Sequence, residues 1–168
     1  MRKHKYLIII LFIVLCVAIP SVVIFVENHF KSEEPIKIIY IPKVIDDDNE
    51  FWSALIGGAY MAAKEYNVDL TVVAPDTEED YMRQNELIEW AIEQKPDAIA
   101  ISPANYIETT EVAKKVIQNK IKLVFIDSSV NERIEDAIVA TDNFIAGKKM
   151  GEYAKRFIKE DTKIAIVG

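Results

Sequence analysis

The sequence predicts an α/β fold built on a doubly wound parallel sheet, preceded by one transmembrane helix. Short runs of β-branched residues recur from residue 36 onward, and amphipathic stretches of helical period separate them. Strands that alternate with helices in this way form βαβ units with parallel strands and right-handed crossovers. The third observation is an uncharged apolar run at residues 6–26. Helices that span lipid have this length and composition.

Composition limits the kinds of function that the chain can have. It contains 27 acidic and 20 basic residues, a formal net charge of −7. A protein of that charge is repelled by a phosphate backbone, so we expect no nucleic-acid partner. A single Cys excludes a disulfide framework and a Cys-based zinc cluster. Both His residues flank the apolar run, so no His-based catalytic or metal site is expected.

The apolar run predicts the membrane topology. As a helix, residues 6–26 span roughly 30 Å, the thickness of the hydrocarbon layer. Three basic residues in the tail 1–5 precede the run, so the positive-inside rule keeps that tail cytoplasmic and places the chain after the run outside. We expect an uncleaved signal-anchor on the cell membrane, followed by a polar linker at 27–35. The alternative is a signal peptide cleaved after Ala18.

The first strand and helix are predicted from two different periods. Residues 36–41 are a β-branched run of the kind that forms a strand buried on both faces. A helix over 51–66 follows, because apolar residues recur there at helical spacing, and Asn67 then suits a left-handed cap. The inward stripe of this helix is expected to be Phe51, Leu55, Ala59, Ala62 and Tyr66.

The second unit has the same organisation. A strand is predicted at 69–74, and Thr77 with Asp80 three residues later resembles a capping box that opens the next helix. The expected inward stripe of that helix is Tyr81, Gln84, Ile88, Ala91 and Ile92. Two consecutive strand–helix units of this kind predict that their strands run parallel in one sheet.

The remaining elements continue this alternation. Strands are predicted at 97–102, 121–126, 137–140 and 163–167, and helices at 109–119 and 145–159. In the 109–119 helix we expect Val112, Val116 and Ile117 to face inward. The whole of 36–168 thus reads as one continuous α/β pattern.

Ligands bind beyond the carboxyl ends of the strands in such sheets, and the first loop there has the richest chemistry. It contains Lys43, three acids at 46–48 and Asn49, and the aromatic pair Phe51-Trp52 follows. The acids lack the alternating ligands and glycine turn of a calcium loop, so a solvated loop is the simpler interpretation. One ring of the pair can face the core while the other faces a cleft, where an aromatic face suits a sugar. Alternatively, both rings only pack the helix against the sheet.

The later loops add polar groups without a catalytic arrangement. Asp127 ends the fourth strand, where a carboxylate can accept hydrogen bonds from two hydroxyls, although a turn or cap role is the alternative. The Asp142-Asn143 pair ends the fifth strand, and helix capping alone would explain it. We find neither a Gly-rich phosphate cradle nor a Ser/His/Asp set, so we expect no enzyme and no cofactor.

These features together resemble one family, the type 1 periplasmic sugar-binding proteins of the ribose/galactose-binding group, which serve ABC importers. The resemblance rests on short motifs that occur in order from residue 36 to residue 168. They are Ile41-Pro42-Lys43, Asn49-Glu50-Phe51-Trp52, Gly58-Ala59, Ala62-Ala63, Gln84, the segment 96–103, Phe125-Ile126-Asp127-Ser128, Thr141-Asp142-Asn143 and Ala146-Gly147. The strand order that this family implies is 2-1-3-4-5.

The resemblance implies roles for individual residues. Asn49 resembles a hydrogen-bonding Asn, Phe51 and Trp52 resemble the rings that sandwich the sugar, and Asp127 resembles the carboxylate that grips its hydroxyls. Two positions differ from ribose binders, since Ser128 stands where they have Arg and Ser102 where they have Asn. Lys43 and the Asp-Ser pair are closer to the rhamnose-binding and autoinducer-2-binding branches, in which such a Lys can reach the ligand.

The family fold has two lobes joined by a hinge. By resemblance, residues 36–141 form most of the first lobe, and 142–168 form a hinge crossing at Asp142-Asn143 and the start of a second lobe. Both lobes are expected to be incomplete in this chain. The expected ligand is a monosaccharide or a related small polyol, bound between the lobes.

Two functions remain open from the sequence. The first is a membrane-anchored solute receptor whose closed form is read by an ABC permease. The second is a sensory receptor that reports a sugar or autoinducer-2 to a partner such as a histidine kinase. A phosphoacceptor enzyme of flavodoxin-like fold is disfavoured, because it needs an Asp at the end of the third strand, where Ser102 stands.

Overall fold

The computed structural model describes residues 16, 19–22 and 34–165. The chain divides into two compact units, Met1–Pro35 and Ile36–Gly168. Residues 16 and 19–22 are helical, and the rest of the predicted anchor at 6–26 lies outside the described residues. Within the described part of the chain, no helix is long and apolar enough to cross a membrane.

The unit Ile36–Gly168 is a five-stranded parallel sheet flanked by helices, and the strand order is β2-β1-β3-β4-β5. This confirms the predicted α/β class and the order 2-1-3-4-5. In chain order the elements are β1 (Lys37–Ile41), α1 (Glu50–Glu65), β2 (Asp69–Val72), α2 (Tyr81–Glu93), β3 (Ala98–Ile101), α3 (Thr110–Gln118), β4 (Lys122–Ile126), β5 (Ala137–Val139) and α4 (Asn143–Ala154). A short 3₁₀ turn, Lys155–Phe157, follows α4.

One face of the sheet packs against α2 and α3 and forms the main core. Alternate residues of β1, β3 and β4 point to this face, since strand side chains alternate sides. The register brings Ile39 beside Ile99 and Ile99 beside Leu123, so these side chains form rows across the sheet. The buried cluster is Ile39, Ile41, Ile99, Ile101, Leu123, Phe125, Ile88, Ala91, Val112, Ala113, Val116, Ile121 and Val130.

The opposite face is only partly covered. Tyr40 and Ala100 are buried there, at 1% and 8% exposure. Farther along this face, Ile38, Val124 and Ile126 are partly exposed and line an apolar groove of about 230 Å³ beside α1. The two faces of the same strands therefore differ in burial, although their sequences are similarly apolar.

The inward side of α1 differs from the predicted stripe by about one residue. Trp52 and Ala63 are its buried residues, whereas Phe51 and Tyr66 are 51% and 72% exposed. Successive residues on a helix are rotated by about 100°, so this shift changes the ends of the predicted stripe, while Leu55 and Ala59 within it stay partly buried. The observed rotation buries the larger indole in place of the phenyl ring, which removes more apolar area from water.

The start of α2 and one inward position of α3 also correct the sequence interpretation. Helix α2 begins at Tyr81 and is capped by Asp80, whose Oδ1 accepts from the amide of Arg83 at 2.9 Å, so the Thr77 start was wrong. The residues before Asp80 form a loop that contacts α1 instead. In α3, Ala113 is buried and Ile117 is 38% exposed, again a rotation by about one position.

Three of the described helices are followed by a residue in the left-handed conformation. Asn67, Lys95 and Lys120 have φ values of 54°, 52° and 62°, and each follows the last turn of a helix. After α1 and α3, the amide of the following residue donates to a carbonyl five residues earlier, with Val68 bonded to Ala63 and Ile121 to Val116. This is the Schellman arrangement, and it confirms the predicted cap at Asn67.

The final segment departs from the prediction after α4. Helix α4 is capped by Asp142, whose Oδ1 accepts from the amide of Ile145 at 2.9 Å. The helix, described in full, buries none of its side chains. Residues 163–165 have no regular structure, so the strand predicted at 163–167 is wrong for its described part. A strand needs a neighbouring ladder for its backbone hydrogen bonds, and none reaches these residues.

A fully buried amide joins the loops that follow β1 and β3. Gln84 is 0% exposed, and its Nε2 donates to the carbonyls of Pro42 and Ser102 at 3.1 and 3.0 Å. Its Oε1 accepts from the amide of Ala104 at 2.8 Å. The side chain thus satisfies backbone groups that no ladder reaches.

Replacement of Gln84 by Ala should therefore destabilise the fold strongly. The change leaves two carbonyls and one amide without a partner, and we expect the free energy of unfolding to fall by about 3 kcal/mol. Urea denaturation measures this loss. The exposed Gln118→Ala is the control and should change stability by less than about 0.5 kcal/mol. Equal losses in the two variants would contradict the role of Gln84.

Candidate functional site

Four of the residues singled out from the sequence meet at the carboxyl edge of the sheet. Lys43 follows β1, Phe51 and Trp52 lie in the first turn of α1, and Asp127 follows β4. The Nζ of Lys43 is 3.8 Å from Oδ2 of Asp127 and 6.0 Å from the centre of the Trp52 ring. Residues far apart in sequence thus form one cluster, as the topology of parallel strands requires.

The two rings of the aromatic pair have different environments. Phe51 is 51% exposed, whereas Trp52 is 2% exposed. Their ring centres are 4.9 Å apart, and the planes make an angle of 83°, a T-shaped contact. Phe51 therefore presents a free face, and Trp52 supports it from within.

Phe51 and Asp127 border an open depression of about 380 Å³. Its other lining residues are Leu55, Ile126, Val139, Ala140 and Thr141. The walls are mostly apolar and Asp127 supplies a charge at the rim, which is the usual composition of a small-molecule site. A depression of similar size, about 390 Å³, lies beside Trp90 at the amino ends of β1 and β2, away from this cluster.

Asn49 fixes the start of α1. Its Oδ1 accepts from the amides of Phe51 and Trp52 at 3.1 and 3.4 Å, so the residue is the N-cap of the helix. Its Nδ2 donates to Oε1 of Glu78 at 3.4 Å. The same oxygen of Glu78 accepts from the indole Nε1 of Trp52 at 2.8 Å.

Asp127 adopts a strained backbone conformation. Its φ is 67°, and the amide of Ser128 bonds to the carbonyl of Ile126 at 2.8 Å. A hydrogen bond across one residue with positive φ defines the rare and strained form of the γ-turn. The amide of Asp127 also donates to the carbonyl of Val139 at 2.8 Å, which fixes the turn to β5. Strain of this kind concentrates at functional sites.

Ser102 lies beneath the cluster and does not reach its surface. It is 0% exposed, and its Oγ is 3.0 Å from the hydroxyl of Tyr40. Burial raises the pKa of Tyr40 to about 12, although the hydrogen bond with Ser102 lowers it, and the nearby charge of Asp127 raises it further. The pair is a buried polar contact in an otherwise apolar layer.

The other predicted residues have local structural contacts. The Oγ of Ser128 donates to the carbonyl of Pro103 at 3.1 Å, which connects the loops after β3 and β4. The acids 46–48 are exposed, and the amide of Asp48 donates to Oδ1 of Asp46 at 3.0 Å, as in an Asx turn. Asp142 caps α4, and Asn143 is its first residue. Within the described residues, no group of His, Cys, Asp and Glu is arranged to hold a metal ion.

Sequence reasoning missed Glu78 and Tyr40. Glu78 stands in a loop after β2, and nothing in its local pattern separates it from its neighbours Glu79 and Asp80. Tyr40 belongs to an apolar strand, where the local pattern predicts that an aromatic side chain packs in the core and does not indicate a polar contact. Both roles depend on residues more than 25 positions away.

The comparisons with known proteins agree with this architecture. Residues 38–168 match the model of the periplasmic binding protein domain, so the chain belongs to that family of binding proteins. Among curated proteins, none matches the chain significantly. The family assignment therefore rests on the domain match together with solved structures.

Three of these structures are similar over most of the described lobe. A sugar transporter from Clostridium phytofermentans is 50% identical with a TM-score of 0.68, and the match covers 71% of this chain and 44% of that one. A carbohydrate transporter solute-binding protein from Agrobacterium radiobacter, in complex with D-arabinose, has 25% identity, a TM-score of 0.65 and coverages of 72% and 40%. A periplasmic sugar-binding protein from Legionella pneumophila has 28% identity and a TM-score of 0.63, and the match covers 72% of this chain and 45% of that one. The chain thus matches less than half the length of each.

The buried hydroxyl of Tyr40 predicts a loss of stability at alkaline pH. Its pKa is raised in the fold from 10.0 to about 12, so the folded state holds the proton more tightly than the unfolded state. This stabilisation is complete below about pH 10 and is lost as the pH rises toward 12, by about 2 kcal/mol near pH 11.5. Urea denaturation from about pH 9 upward measures the slope. Tyr40→Phe should remove that part of the slope, and the half-exposed Tyr60→Phe should keep it.

Because the backbone at Asp127 is strained, we expect glycine to give a more stable protein than alanine at this position, the reverse of the usual order. Both Asp127→Gly and Asp127→Ala remove the carboxylate, but only glycine adopts positive φ without steric cost, so the Gly variant should be more stable by about 1 kcal/mol. The same pair of substitutions at Ser129 should favour alanine by roughly 0.5 kcal/mol, because that residue has no positive φ. An Ala variant at 127 as stable as the Gly variant would exclude strain there.

Proposed function

We propose that the protein is an extracytoplasmic carbohydrate-binding protein, the solute receptor of a sugar ABC transporter, which binds a monosaccharide between two lobes. The observation that carries the proposal is the exposed face of Phe51 beside Asp127 at the rim of the depression. It is supported by family membership and by the similar structures, which are a sugar transporter and a carbohydrate transporter solute-binding protein in complex with D-arabinose. In this function the protein binds its ligand without chemical conversion.

The geometry of Lys43 and Asp127 suits a hydroxyl group. Their charged atoms are 3.8 Å apart, too far for a strong direct hydrogen bond. One hydroxyl oxygen placed between them accepts from Lys43 and donates to Asp127 at normal distances. A carboxylate or phosphate oxygen has no proton to donate to Asp127. We therefore propose a neutral polyol as the ligand, with the C–H face of the sugar on Phe51.

The remaining predicted contacts have supporting roles in this proposal. Trp52 backs the ring of Phe51, Asn49 holds the helix start, and Ser102 and Ser128 keep the loops after β3 and β4 in place. Enclosure of the ligand requires a second lobe, because tight sites cover most of a ligand's surface. The hinge is proposed at Asp142-Asn143, after β5.

We also propose the domain arrangement that the sequence suggests. Residues 6–26 anchor the protein in the cell membrane, 1–5 remain cytoplasmic, and the linker 27–35 leads to the lobe 36–141 outside, with 142–168 as the crossing to the second lobe. The support is the charge asymmetry around the apolar run and the family of the domain. A receptor for an ABC permease is favoured over a sensor for a histidine kinase, because the similar structures are transport proteins.

Removal of the Phe51 ring should weaken sugar binding. Thermal unfolding is measured with pentoses, hexoses, deoxyhexoses and autoinducer-2, and the wild type should gain stability with at least one of them. We expect Phe51→Ala to lose at least about tenfold in affinity for that ligand, since a stacking face contributes on the order of 1–2 kcal/mol.

The matched control is Tyr60→Ala, because Tyr60 lies on the same helix at 49% exposure but outside the depression. That variant should bind as the wild type does. A Phe51→Ala variant with unchanged affinity would remove the stacking role, and a wild-type protein with both lobes complete that binds no sugar would remove the proposed function.

A further inference from the structure

Glu78 contacts the binding site from a loop that does not border it. The residue lies between β2 and α2 and is partly buried. Its Oε1 is 2.8 Å from the indole Nε1 of Trp52 and 3.4 Å from Nδ2 of Asn49. One carboxylate oxygen thus accepts from Asn49, the N-cap of α1, and from Trp52 in its first turn.

The bond with Asn49 selects the orientation of its side-chain amide. An Asn side chain has an accepting oxygen at one end and a donating nitrogen at the other. Because the nitrogen donates to Glu78, the oxygen is turned toward the amides of Phe51 and Trp52. The reversed orientation would bring donors against donors. The negative charge of Glu78 near the helix amino terminus also interacts favourably with the helix dipole.

The bond with Trp52 fixes the ring that supports the exposed phenyl group. The indole is held at its edge by Glu78, contacts Phe51 in a T-shaped geometry, and lies 6.0 Å from the ammonium of Lys43. A buried indole N–H needs an acceptor, and without one the ring would be driven to rotate toward water. Rotation of the indole would break its T-shaped contact with Phe51 and change its distance from the ammonium of Lys43.

We infer that Glu78 is a positioning residue of the ligand site, which sets Phe51 and Lys43 through Trp52 and Asn49. This inference rests on the proposed function, since Phe51 and Lys43 are its proposed ligand contacts. Glu78 itself does not contact the sugar. The loop between β2 and α2 thereby takes part in recognition from outside the depression.

The first test observes Trp52 directly in the full chain. Trp52 and Trp90 are its two tryptophans, so a Trp90→Phe background leaves Trp52 as the single reporter. Glu78→Ala should increase quenching of its fluorescence by acrylamide and remove its near-ultraviolet circular dichroism band. Glu78→Gln keeps an accepting oxygen and should retain most of both signals.

A matched control separates positioning from general stability. Asp80→Ala, in the same loop, removes the cap of α2, which costs about 1 kcal/mol without touching Trp52. It should lower the melting temperature but leave the Trp52 signals unchanged. If Asp80→Ala changed those signals as Glu78→Ala does, the role of Glu78 would be merely structural and the inference would be wrong.

The second test measures the affinity for D-arabinose and for the other sugars of the thermal screen. Glu78→Ala should weaken binding about tenfold, while Glu78→Gln stays within about threefold of the wild type and Asp80→Ala is unchanged. Wild-type affinity in Glu78→Ala would overturn the inference. A wild type that binds no sugar would count against the proposed function alone, and the Trp52 signals would then decide the role of Glu78.

Discussion

The parallel register between β1 and β3 is the constraint on which the rest of the lobe depends. Ile41 pairs with Ile101, so the chain leaves both strands at the same level. Pro42 and Ser102 follow immediately, and their carbonyls come within reach of one amide, that of Gln84. A slip of one residue would turn every side chain to the other face and separate these loops. The same register places Tyr40 beside Ala100, so the Tyr40 hydroxyl reaches Ser102, two residues farther along the chain and directly beneath the candidate site.

Two structural features orient the polar groups at the carboxyl edge of the sheet. On one side, Asn49 caps α1, and Glu78 holds the cap and the indole in place. On the other side, a strained γ-turn projects Asp127, with its amide bonded to Val139. The first feature, the capped start of α1, stabilises the fold and also orients the indole ring of Trp52. The second costs stability, which the surrounding packing offsets, as is usual where the backbone serves binding.

The chemistry of the site follows from the unequal burial of neighbouring side chains. Trp52 is almost fully enclosed and Phe51 is half exposed, although they are adjacent in the sequence. Because consecutive helical residues differ by about 100°, only one of them can face the sheet. The larger indole does so and donates its N–H to Glu78, which leaves the phenyl ring exposed beside the depression. Lys43 and Asp127 complete the same edge, which in the proposed function receives an uncharged polyol.

The alternating apolar runs by themselves determined the α/β class, the order of the elements and the sheet as the scaffold, because strand and helix periods are local properties of the chain. Motif resemblance indicated the family and singled out Lys43, Phe51 and Asp127 as candidate site residues. Only the tertiary structure decided which ring of the pair is buried, that Ser102 lies beneath the site, and that Asp80 rather than Thr77 starts α2. Glu78 and Tyr40 also emerged only there. These outcomes depend on contacts between residues distant in sequence, where burial and partner geometry outweigh local pattern.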